Sequence, residues 1–183
     1  MAAIGWLKYV YLSRASQPKS ERPLYRLVKR DKVCRIVEVG IGSLERSTRL
    51  VQVAQRYARG EEVAYTGLDW FDTRPKQRPP LTLKDTHCRL QKMDAKVRLV
   101  PGPPARSLAT VANAHRGTGL LLISEAVADH DLEAAWFYVP RMLTPRSLVL
   151  REKIDPQGVG SFTQLSLDQI AQWVVRTGTR RAA

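Results

Sequence analysis

The sequence is poor in cysteine, with only Cys34 and Cys88. Two thiols offer no disulfide framework and too few ligands for a zinc site. Cys34 sits in an apolar run and reads as a small core residue. No apolar stretch is long enough to cross a bilayer, so no membrane partner is expected. The first residues, MAAIGWLKYVYLSR, are interrupted by Lys8 and lack a signal peptide's basic start, apolar run and small-residue cleavage site. The expectation is a cytoplasmic protein. Internal repeats, low-complexity tracts and an aromatic-rich RNA-binding motif are all missing as well.

What remains is a chain of 183 residues, 44% apolar and 26% charged, which suits a soluble globular protein with one sizeable core. Its net charge is +13 and is unevenly placed. Residues 1–32 carry eight Lys/Arg against two acids, and residues 70–100 carry eight against three. Residues 33–69 balance at five against five. Two such patches can attract nucleic acid, nucleotides or other polyanions, or can be a well-solvated basic surface. We read residues 1–32 as an N-terminal helix followed by a basic linker, and residues 33–183 as the main domain. Ile4, Leu7 and Tyr11 have helical spacing, and SRASQPKSERP after them reads as loop.

From Val33 the pattern becomes regular. VCRIVEV, EVAYTGLDW, KVRLVPG, GLLLISE and RSLVLREK read as five strands, nearly all apolar. Helical patterns separate them, and SLDQIAQWVVRTG closes the series with a Ser166–Gln169 capping box and Gly178 as a stop signal. Pro140 should kink or end the helix before the fifth strand. FDTRPKQRPP must be loop, because its prolines exclude helix and central strand. Strands alternating with helices predict an α/β, Rossmann-like three-layer sandwich with a mostly parallel sheet. Ligands of such sheets bind outside the carboxyl ends of the strands, where strand order reverses.

The first strand ends in Glu38-Val39-Gly40-Ile41-Gly42. Glycines at 40 and 42 permit a sharp turn and close approach of a ligand to the backbone. The helix after them offers free amides and its positive dipole end. Asp69 ends the second strand, where a carboxylate can accept bonds from both hydroxyls of a ribose. Together these features form a nucleoside-binding signature. A dinucleotide fingerprint needs a third glycine where Glu45 stands, which disfavours NAD, and no phosphate-cradling Gly-Lys-Ser/Thr is present.

Beyond that signature, the sequence over roughly residues 33–178 resembles the class I S-adenosylmethionine-dependent methyltransferases. VEVGIG is similar to their first motif, with Glu38, Gly40 and Gly42 at its acid and glycine positions. Asp69 matches their ribose-binding acid, LVPGPPARSL the segment near adenine that contains Gly102, and PRMLTPRSLVLRE their later helix, turn and fifth strand. The resemblance implies S-adenosylmethionine as cofactor and Glu38, Gly40, Gly42, Asp69, Trp70, Gly102 and Ser124 as its contacts. Trp70 would stack on adenine or pack against the sheet. Glu125 and His130, at the end of the fourth strand, are the candidates facing substrate, while Asp129 or Asp131 could be a helix N-cap.

Three departures qualify the resemblance. Pro103 stands where an acid usually follows Gly102, and Arg146-Ser147 replaces a glycine pair. The chain ends about where the family's sixth and seventh strands would begin. A sheet of about five strands is therefore expected, lacking much of the terminal antiparallel pair. Its edge would be covered by the N-terminal segment or paired in a homodimer. The resemblance implies a methyltransferase of unknown acceptor, and the two charged segments predict a basic rim and an anionic substrate. The alternative is a catalytically inactive methyltransferase-like module binding nucleic acid or protein.

Overall fold

The computed structural model describes residues 4–181. β1 (Arg35–Val39), β2 (Ala64–Asp69), β3 (Lys96–Pro101), β4 (Leu120–Ile123) and β5 (Leu148–Ile154) fall where the apolar runs predict them. The helices α3 (Leu44–Tyr57), α4 (Leu83–Gln91), α5 (Pro104–Val111), α6 (Asp129–Trp136) and α7 (Leu167–Arg181) alternate with or come after these strands. Two further helices, α1 (Trp6–Arg14) and α2 (Glu21–Arg30), precede β1. Pro140 has the predicted effect: α6 ends at Trp136, and a single 3-10 turn at Val139–Arg141 leads on to β5.

The sheet order is β3-β2-β1-β4-β5-β6. The first five strands are parallel, and β6 (Gly160–Leu165) pairs antiparallel with β5. The mostly parallel Rossmann-like sheet is as expected, but it continues one strand further. Asp155 explains how. Its Oδ1 accepts from the amides of Gln157 at 3.0 Å and Val159 at 2.7 Å, closing a tight turn that sends the chain back along β5. The free edge expected on β5 is thus covered by β6, not by the N-terminal segment or a second copy. The opposite edge strand, β3, exposes Lys96, Arg98 and Pro101, which discourage strand addition.

Side-chain alternation along β1 and β4 feeds two cores. Ile36, Leu120 and Leu122 point toward α1, α2 and α3, while Val37, Val39, Leu121 and Ile123 point toward α5, α6 and α7. Two sequence expectations change. The stretch 13–23, read as loop, runs into α2 at Glu21, and Leu24, Tyr25 and Val28 of that helix are buried in the same core as α3. α7 does not stop at Gly178; its backbone stays helical to Arg181. Its start is as predicted, with Gln169 N donating to Ser166 Oγ at 3.1 Å and Ser166 N donating to Gln169 Oε1 at 2.8 Å. No helix among the described residues is long and apolar enough to cross a membrane.

After β3 the chain crosses back to place β4 on the other side of β1. The connections leaving β1 and β4 therefore diverge, and the carboxyl ends of β1, β2 and β4 border a cleft.

Candidate functional site

The turn after β1 is built for close packing. Gly40 has φ +73, and a Cβ there would lie 2.7 Å from Val127 Cγ2. Its amide donates to Leu68 O at 2.8 Å, tying the turn to β2. Ser43 caps α3, its Oγ accepting from Arg46 N at 3.1 Å. Gly42 has a different neighbour: a Cβ would sit 2.5 Å from Arg46 Nη2. The space over Gly42 holds a guanidinium.

That guanidinium serves Glu38. The Glu38 side chain is fully buried, and Arg46 is 3% exposed. Glu38 Oε1 accepts from Arg46 Nη2 at 2.9 Å; Oε2 accepts from Ser47 Oγ at 2.6 Å and Tyr65 Oη at 2.7 Å. Arg46 Nη1 also donates to Glu152 Oε1 at 2.7 Å. Burial alone would lower the arginine's pKa, but Glu38 and Glu152 more than offset it and raise it. The Tyr65 phenol is pushed well above its ordinary value by burial and by the Glu38 charge. Glu38 thus ties β1, β2 and α3 together beneath the turn.

Asp69, at the end of β2, is 1% exposed and equally engaged. Its Oδ2 accepts from Ile41 N at 2.7 Å and Arg74 Nη2 at 2.8 Å. Its Oδ1 accepts from Phe71 N at 3.0 Å and Arg74 Nε at 2.6 Å. The arginine pair is bidentate, the strongest carboxylate–guanidinium geometry. Half-buried Trp70 lies under Arg78, whose guanidinium carbon is 4.4 Å from the ring centroid. Arg78 Nη2 also donates to Ala126 O. Gly102, with φ +123, donates its amide to Asp69 O at 2.9 Å. Ser124 is buried; its amide donates to Val39 O at 2.9 Å, and its Oγ accepts from Ala126 N at 3.3 Å.

Two cavities open here. One of about 600 Å³ is bordered by Trp70, Pro103, Pro104, Val127 and His130. The larger, about 1450 Å³, is bordered by Ile41, Gly42, Arg74, Arg78, Glu125, Trp136, Arg151, Lys153 and Trp173. The structure therefore gathers the turn, Asp69, Trp70, Pro103 and the end of β4 at one edge of the sheet. It separates the two substrate-facing candidates: exposed Glu125 lines the larger cavity and exposed His130 the smaller. Asp129 is the first residue of α6 and pairs with Arg151 at 3.0 Å; the N-cap position belongs to Ala128. No described residue of 1–32 borders either cavity, and acids such as Glu125 and Glu152 line the larger one beside its arginines, so the expected rim of two basic segments is not seen there. His115, read from sequence as a surface residue, is half-buried.

Arg46, Arg74, Arg78 and Arg151 are site residues that sequence reasoning misses. A basic loop is legible, but nothing local says which carboxylate an arginine will reach across 5 or 106 positions.

Comparison with known structures finds the same fold. The O-methyltransferase TomG from Streptomyces achromogenes, solved with SAM, aligns over all of this chain and 80% of its own, with TM-score 0.51 and 13% identity. The fold is that of the class I methyltransferases. The precorrin-6y C5,15-methyltransferase from Geobacter metallireducens GS-15 aligns over 90% of this chain and 75% of its own, with TM-score 0.46 and 15% identity. The mycinamycin-pathway methyltransferase MycE aligns over 77% of this chain, with TM-score 0.45 and 19% identity, and this chain spans only 35% of MycE. No family model and no curated protein matches the sequence.

Proposed function

We propose that this protein is an S-adenosylmethionine-dependent methyltransferase. The observation that carries the reading is Asp69: a buried carboxylate at the end of β2, bonded to the turn after β1 at Ile41 N and followed in the chain by Trp70. The donors and acceptors suit the cofactor in kind. Asp69 can accept from two ribose hydroxyls, the 600 Å³ cleft between Trp70 and Pro103 offers apolar walls to a purine, and the larger cavity leaves room for an acceptor. They suit it on one condition: the ribose hydroxyls must take the place of Arg74 on Asp69.

The cofactor supplies a methyl group already activated by a sulfonium, so the chain's task is chiefly alignment. Gly40, with φ +73, and the Ser43 cap fix the turn on which the nucleoside would rest. Glu125 borders the larger cavity and could take a proton from an acceptor hydroxyl or amine there. Lys153, which makes no ion pair among the described residues, would receive an anionic group of that acceptor. Isothermal calorimetry with S-adenosylhomocysteine is the test. Micromolar binding supports the proposal, and no heat at millimolar ligand refutes it.

One observation favours a second reading, a non-enzymatic module on the same fold. Glu38 and Asp69 are both fully engaged by the chain's own donors. Under that reading RNA or DNA would bind with an affinity falling steeply with salt. Salt-independent or undetectable binding counts against it.

A further inference from the structure

The segment between β2 and α4 is more than a connection. It leaves β2 at Phe71, which has φ +48 while its ring is 1% exposed. A bulky residue in the left-handed region persists only where its surroundings hold it, and such strain concentrates at switching segments. The hold here is the burial of the ring and the bond from Phe71 N to Asp69 Oδ1 at 3.0 Å. Pro75, Pro79 and Pro80 stiffen the remainder of the segment. Arg74 Nη1 donates to Pro79 O at 2.9 Å, drawing the segment into a compact loop, and Leu83 N donates to Asp72 Oδ2 at 3.2 Å where it joins α4.

Two arginines carry this loop across the cleft. Arg74 grips both oxygens of Asp69 and also donates to Ile41 O at 2.5 Å, reaching the glycine turn. Arg78 sits over the Trp70 ring and reaches Ala126 O beyond β4. The first guanidinium presents N–H donors where a ribose would present hydroxyls. The second places its cation over the Trp70 ring, 4.4 Å from the centroid, and so ties the strap to the residue after Asp69.

We propose that residues 71–82 form a strap that occupies the nucleoside site in part by mimicry, Arg74 standing in for the ribose on Asp69 and Arg78 anchoring the strap over Trp70 and at Ala126 O. A nucleoside then binds by exchange, with the strap leaving Asp69 and Trp70 as the ligand arrives. This rests on the methyltransferase reading above, because S-adenosylmethionine is the nucleoside concerned. Apparent affinity falls by the fraction of molecules whose strap is open: a strap closed about nine-tenths of the time weakens binding about tenfold.

The test compares S-adenosylhomocysteine binding to the wild type, Arg78→Ala and Arg74→Gln by calorimetry, with melting curves to confirm folding. Binding at least tenfold tighter in either folded variant is expected. Equal or weaker binding in the variants, with the wild type binding, overturns the strap and leaves the cofactor reading standing. No binding by any of the three overturns both. The Arg78 side chain meets the Trp70 ring and a main-chain oxygen and pairs with no carboxylate among the described residues, so Arg78→Ala decides the matter if Arg74→Gln fails to fold.

Discussion

Arg46→Met is the most searching perturbation of this structure. It removes a 3%-exposed cation from between Glu38 and Glu152 and keeps roughly the same apolar stem. Glu152, 16% exposed, can recover water, but Glu38 is fully buried and cannot. Breaking a buried pair by removing one partner costs about 3–5 kcal/mol. The Ser47 and Tyr65 hydroxyls, at 2.6 and 2.7 Å, still satisfy one oxygen of Glu38. They place the expected loss at the lower end, about 3 kcal/mol. At about 2–4 °C per kcal/mol for a chain of this length, the melting temperature should fall by roughly 6–12 °C. Glu38→Gln should cost a similar amount. The double variant should cost less than the sum by about 2 kcal/mol, since the second change removes a charge already stranded by the first. Urea unfolding of all four proteins measures the cycle. A loss below about 1 kcal/mol for Arg46→Met, or additivity within about 0.5 kcal/mol, would refute the view that these groups act as one unit.

Other consequences can be checked on the same instruments. Gly40→Ala must place a Cβ 2.7 Å from Val127 Cγ2 at φ +73, and should cost about 1–3 kcal/mol from the backbone alone before any repacking, read as a drop in urea midpoint. Ser166→Ala removes the reciprocal cap of α7 and should cost about 1 kcal/mol in thermal melts. Burial and then Arg98 lower the pKa of His115 from the ordinary histidine value. The unfolded chain therefore binds its proton more readily than the folded one. Stability is full above the ordinary value and is lost as pH falls through it toward the folded value. His115→Gln should flatten stability between about pH 7 and pH 5; an unchanged pH profile would remove His115 from the account.

Much of the fold can be read directly because its signals are local. Each of β1 to β5 is an apolar run bounded by turn residues, and the Ser166–Gln169 box marks the start of α7 within four residues. β6 is different. Gly160–Leu165 is half-exposed and mixed in composition, and it becomes a strand because Asp155 turns the chain against β5. α2 hides behind the prolines and charges of 13–23, with only Leu24, Tyr25 and Val28 to show that it is buried. The site divides in the same way. The glycine turn, Asp69 and Trp70 are legible because their positions at strand ends carry meaning. The arginines that engage the two acids are not, because long flexible side chains choose partners through tertiary geometry that no spacing rule encodes.

Gly42 and Arg46 also constrain how this sequence can drift. A Cβ at 42 would press on the tip of the Arg46 guanidinium that Glu38 holds, so a side chain there requires that flexible tip to shift. The two positions are coupled: the cost of a side chain at 42 depends on how far the Arg46 tip can move while it still holds Glu38. The usual alanine test of a glycine-turn motif would mislead here. Gly42→Ala would also displace the Arg46 tip on Glu38, so a loss of ligand binding in that variant would not by itself report a missing ligand contact.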